Sequence, residues 1–187
     1  MNKPLNEMSN EELWQLFPII LSEHKAYWKE YYIAEKEFLE NLIGNNIEAI
    51  HHIGSTAIPN LTAKPTIDIL IEISDNTDIP GLIRKMEING YIYSPQPDKP
   101  APHLMFLKGY TSTGFASKVF HIHIRYKGDW DELHFRDYLL SHPEAVKEYV
   151  MLKQKLKEQY EHDRDGYTMA KTDFIRRITD LARDQNI

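Results

Sequence analysis

The sequence contains no cysteine. That excludes a disulfide framework, a thiolate zinc site, an iron–sulfur cluster and a cysteine nucleophile, and it leaves His, Asp and Glu as the metal ligands on offer. No uninterrupted apolar run of about 20 residues occurs, and residues 1–7 lack the apolar core of a signal peptide, so the chain reads as cytoplasmic with no membrane partner. Positive charge is not in excess either. The 22 Lys and Arg stand against 28 Asp and Glu, a net charge of −6, and no basic block stands out. Binding to duplex DNA is disfavoured by that balance, although a local basic pocket is compatible with it. Several familiar motifs are missing: there is no GxGxxG, GxSxG or HExxH. Gly109 and Gly114 have the outer spacing of a P-loop, but Phe115-Ala116 stand where its Lys-Ser/Thr would be.

What is present fits one domain of 187 residues, since a typical domain has about 150. Ser9 and Glu12 form a capping box before Leu13 and Leu16, which predicts a short helix from about residue 10 to before Pro18 in an N-terminal extension, 1–20. Apolar residues at helical spacing predict a long helix over 22–43, ended by Gly44-Asn45. Strands follow over 47–53 and 66–73, separated by a loop. In the second, Ile67, Ile69, Ile71 and Ile73 face one way while Asp68, Leu70 and Glu72 face the other. A helix over 80–89, a strand at 91–93, a proline-rich loop over 94–102 and an antiparallel hairpin of 103–107 with 118–126 complete a core of about 21–127. From about 128 to 187 the periodicity is helical, with segments over 130–140, 143–162 and 169–184. The fold class is α+β: a mixed sheet with flanking helices and a C-terminal helical tail.

One stretch concentrates chemistry. After His51-His52-Ile53, the turn Gly54-Ser55-Thr56 offers backbone N–H groups and hydroxyls to phosphate oxygens, Lys64 follows, and Asp68 stands on the next strand. An ordinary turn followed by a surface acid is the plainer reading of the same residues.

These residues resemble the GrpB family of small bacterial proteins in the nucleotidyltransferase-like superfamily. The likeness lies in His52-Ile53-Gly54-Ser55-Thr56, Ala63-Lys64-Pro65 and Ile67-Asp68-Ile69, and it continues in His121-Ile122-His123-Ile124 and Phe135-Arg136-Asp137-Tyr138-Leu139. His142-Pro143-Glu144-Ala145, Tyr149, Lys153, Tyr167 and Lys171 extend it toward the C-terminus, while Pro59-Asn60 replaces the family's usual Pro-Gly. The resemblance implies a nucleotidyltransferase-like fold, a Gly-Ser turn that binds a nucleoside triphosphate, and strand acids that hold divalent magnesium or manganese. Asp68 fills the first acid position, but the second falls on Leu70, and Glu72 is about 13 Å further along the strand.

His121 and His123, two apart on a strand, point to one face and with Asp68 would make a 2-His-1-carboxylate set, opening zinc as an alternative. His52 is read either as a phosphate contact or as a structural residue, with His51 on the opposite side. Arg136, Lys153 and Lys171 are cations that can turn toward a phosphate, and Tyr138 and Tyr167 can carry a base or sugar; Arg136 with Asp137 can equally form an internal ion pair. The functional expectation is a metal-dependent nucleotidyltransferase acting on a nucleotide or other phosphorylated small molecule. Its alternatives are a catalytically reduced binding module and a His/Asp metallohydrolase.

Overall fold

The computed structural model describes residues 3–185, so the first two residues of the expected extension and the last two of the expected tail lie outside the described residues. Helix α1 (Asn10–Leu16) starts at the capping box, with the Ser9 hydroxyl taking the Glu12 N–H and the Glu12 carboxylate taking the Ser9 N–H. Helix α2 (Tyr27–Ile43) begins five residues later than its periodicity predicts. The reason is local: Ser22 pairs its backbone with Ala63 in an isolated two-way bridge, which holds the chain extended there. Strands β1 (Ile47–Ile53) and β2 (Ile67–Ile73) follow, then helix α3 (Ile79–Ile88), capped by Asp78. Strand β3 (Ile92–Tyr93) leads to β4 (His103–Thr111) and β5 (Gly114–Tyr126). This hairpin is longer than its alternation predicts. Gly109, at φ 88°, absorbs a bulge opposite Lys118, and the strands continue to a tight turn at Ser112-Thr113.

The sheet order is β1-β2-β5-β4-β3, with β2 and β5 parallel and the other pairs antiparallel. The isoleucines of β2 face α2 and α3, where Trp28, Leu39, Ile43, Leu82 and Met86 complete the main core. Burying each such side chain stabilises the fold by about 1.5–3 kcal/mol. The tail lies against the other face as α4 (Asp131–Ser141), α5 (Pro143–Tyr160), α6 (Arg164–Met169) and α7 (Thr172–Asp184). Where one last helix was expected there are two. Asp163 caps α6 by accepting the Gly166 N–H, a start signal too close to the preceding helix for periodicity to register. Phe17 and Ile19 of the expected extension are buried, Ile19 beside Leu156 and Tyr167. Among the described residues, no helix is long and apolar enough to cross a membrane.

Candidate functional site

Strand register brings the first three residues of the site together. Asp68 pairs with His121 across the parallel β2/β5 ladder, and Leu70 pairs with His123, so Asp68 and both imidazoles share one face. His121 Nδ1 lies 3.1 Å and His123 Nε2 3.8 Å from Asp68 Oδ1, and one donor atom from each of the three falls within 4.8 Å of the others. Two nitrogens and one carboxylate oxygen at that spacing fit a divalent ion with open positions. Burial works to raise the Asp68 carboxyl, but the interactions with His121 and His123 outweigh it and hold the group well below the usual carboxylate range. Leu70, at the second acid position, is fully buried.

Groups from β4 and α6 hold His121 in place. Tyr110 Oη lies 2.7 Å from His121 Nε2 with the rings nearly parallel, and Arg164 donates to the same hydroxyl at 3.1 Å. Phe17 packs edge-on against the Tyr110 ring at 4.9 Å. Gly54 supports Asp68 from the turn. It stands at φ 69°, and a Cβ there would lie 2.5 Å from Asp68 Oδ2.

Around these groups is a cavity of about 630 Å³, lined from the sheet side by Gly54, Ser55, Lys64, Asp68, His121 and His123. The tail supplies Phe135, Tyr149, Lys153, Arg164, Tyr167 and Lys171. Lys153 is buried and donates to Ser55 Oγ at 3.1 Å and to the Thr62 carbonyl. Burial, reinforced by neighbouring cations, lowers Lys64 to about 8 and Lys153 and Lys171 to about 7. Asp131, Glu132 and Asp165 also line the cavity; Asp131 and Glu132 are engaged by Arg183 and Arg125.

Three sequence candidates lie elsewhere. His52 pairs with Ile69, on the sheet face toward α2, where it stacks on Tyr32 at 4.6 Å. Its Nε2 lies 3.0 Å from Thr56 Oγ1, whose proton goes to the Thr66 carbonyl, so the imidazole N–H donates and His52 sits as a neutral structural residue. Thr56 is spent in that network. Contrary to the sequence expectation, His51 shares the face of Asp68: it pairs with Leu70 and meets Glu72 at 3.2 Å. Arg136 turns to Asp137 and to the His52 carbonyl, tying α4 to β1. Of the two tyrosines, Tyr167 lines the cavity, whereas Tyr138 is buried in the tail and stacks on His142 at 3.7 Å. Sequence reading missed Tyr110 and Arg164. The Asp163/Gly166 cap is the signal for a helix at Arg164, while Tyr110 lies in β4 beyond residue 107, where alternation ends the expected strand.

Pro59-Asn60 keeps a glycine-like backbone, because Asn60 adopts φ 62°. The family model described as GrpB protein matches residues 18–181. Protein YqkA of Bacillus subtilis is 36% identical over 168 residues, which is 88% of this chain and 47% of YqkA, so the chain spans about half of that relative. The glutamate-rich protein GrpB of Alkalihalophilus pseudofirmus is 34% identical over 164 residues, covering 86% of this chain and 93% of that protein. The crystal structure of conserved protein GrpB from Enterococcus faecalis superposes with a TM-score of 0.77 at 29% identity, over 89% of this chain and 99% of that one. Likeness to the Cid1 poly(U) polymerase and the GLD-2/RNP-8 complex is fainter, with TM-scores of 0.44 and 0.49. The family match runs from before α2 through most of α7 and so takes in the Asp68, His121 and His123 face together with the tail lysines: the chain belongs to the GrpB family.

Proposed function

We propose that this cavity binds a nucleoside triphosphate together with a divalent metal and serves nucleotidyl transfer to an acceptor. The observation that supports this is the meeting, in one cavity, of a three-donor metal set with Lys64, Lys153 and Lys171. Asp68, His121 and His123 would hold the ion. Nitrogen donors favour manganese or zinc over magnesium. Once bound, the ion would neutralise phosphate charge and polarise the reacting phosphoryl group. The lysines hold phosphate oxygens, and Ser55 Oγ, positioned by Lys153, faces the same space. In the reaction class proposed, an acceptor oxygen bonds to the α-phosphorus as the α–β bridging bond breaks, and pyrophosphate leaves with that electron pair.

Leu70 supports a second reading. With one strand carboxylate in place of two, the same cavity would bind its ligand without turnover. Calorimetric titration of the four ribonucleoside triphosphates, with and without manganese, tests both on wild type and Asp68→Ala. Manganese-dependent binding that the substitution abolishes supports a metal–nucleotide site, and pyrophosphate release then separates transfer from binding alone. Absence of binding under every condition overturns both.

A further inference from the structure

Lys64 and Lys171 share an unusual setting. Their ammonium groups lie 5.6 Å and 4.4 Å over the Tyr167 ring, and among the described residues neither makes a hydrogen bond or an ion pair. Both lysines are half-buried with no bonded anion, and the ring face compensates each only in part. Tyr167 has the complementary defect. It is 1% exposed, lines the cavity, and its hydroxyl is buried with no hydrogen-bond partner. Of the other cations lining the cavity, Lys153 donates to Ser55 and Thr62 and Arg164 to Tyr110. Two unpaired ammonium groups beside one unpaired phenol make a set that a phosphate-type oxyanion would satisfy, with charge for the lysines and an acceptor for the hydroxyl.

From this arrangement we infer that Lys64, Tyr167 and Lys171 form a distinct oxyanion subsite, which binds a terminal phosphate or pyrophosphate group without the metal. The inference rests on the phosphate-ligand reading of the cavity. It adds that Tyr167 acts as a hydrogen-bond donor and not as a stacking platform for a base. It assigns the anion-holding role in the cavity to these three residues and not to Asp68, His121 and His123. In transfer chemistry this is the part that would retain the departing pyrophosphate.

The probe is inorganic pyrophosphate, titrated in low salt with excess EDTA into wild type, Tyr167→Phe and Lys171→Met. Tyr167→Phe removes only the unpartnered oxygen, and Lys171→Met keeps the length of the chain, so both should fold; melting curves check this. Wild type should bind, Lys171→Met should lose about tenfold or more in affinity, and Tyr167→Phe about threefold to tenfold. No binding by wild type in EDTA overturns the subsite, even if manganese-dependent nucleotide binding is found. Binding that neither substitution weakens overturns it too. An effect of Lys171→Met without one of Tyr167→Phe overturns the donor role of the hydroxyl.

Discussion

The Tyr110 hydroxyl lies 2.7 Å from His121 Nε2, on the side of the imidazole away from Asp68. A ring nitrogen so held leaves Nδ1 facing the carboxylate and fixes the ring plane. Tyr110→Phe keeps the ring packed on Phe17 and Phe115 but removes this restraint. Manganese or zinc affinity should fall about tenfold to a hundredfold, with little change in melting temperature. Unchanged metal affinity, measured by calorimetry, would show that His121 is oriented by other means.

Gly54→Ala should damage stability and metal binding together. The backbone there, at φ 69° and ψ −173°, is one that only glycine adopts readily, so strain alone costs about 1–3 kcal/mol. The added Cβ would also press on Asp68 Oδ2. Urea unfolding and a metal titration check the two effects. Loss of stability with intact metal affinity would mean that the turn does not support Asp68.

Lys171 ties stability to pH in an unusual direction. Burial lowers it from 10.5 to about 7, so between these values the unfolded chain holds a proton that the folded chain lacks. Stability of the ligand-free protein should therefore rise with pH across that window, and the full penalty applies below pH 7. Lys171→Met should raise the melting temperature at pH 6.5, and the gain should vanish near pH 10.5. A lower melting temperature at pH 6.5 would show that the ammonium is already compensated.

His52 acts on the acid side. Burial lowers it from 6.5 to about 4, so as pH falls through this range the unfolded chain takes up a proton before the folded one does. Stability should fall accordingly, and His52→Gln, which can still donate to Thr56, should flatten this part of the profile. An unaltered acid limb would assign the loss to other groups.

The sequence made the sheet and one wall of the site legible, because alternation is local. Asp68 stands out against the isoleucines of β2, and the two-residue spacing of His121 and His123 places them on one face whatever the tertiary context. Register was not legible. A shift of one residue exchanges the faces of His51 and His52, and only the pairing of Ile53 with Asp68 decides between them. The tail cations were harder still. Lys153 and Lys171 enter the cavity while Arg136 turns to a strand carbonyl, a choice made by helix packing over long sequence separations. Arg164 was hidden because its helix has six residues, too few to establish a period.

The central claim is that metal and phosphate chain meet in one cavity. Crystals grown with manganese and a non-hydrolysable nucleoside triphosphate analogue test it most directly, through the anomalous signal of the ion. The account requires a manganese peak within bonding distance of Asp68, His121 and His123, with the phosphate chain reaching Lys64 and Lys171. A peak away from these three residues, or phosphates bound outside the cavity, would contradict it.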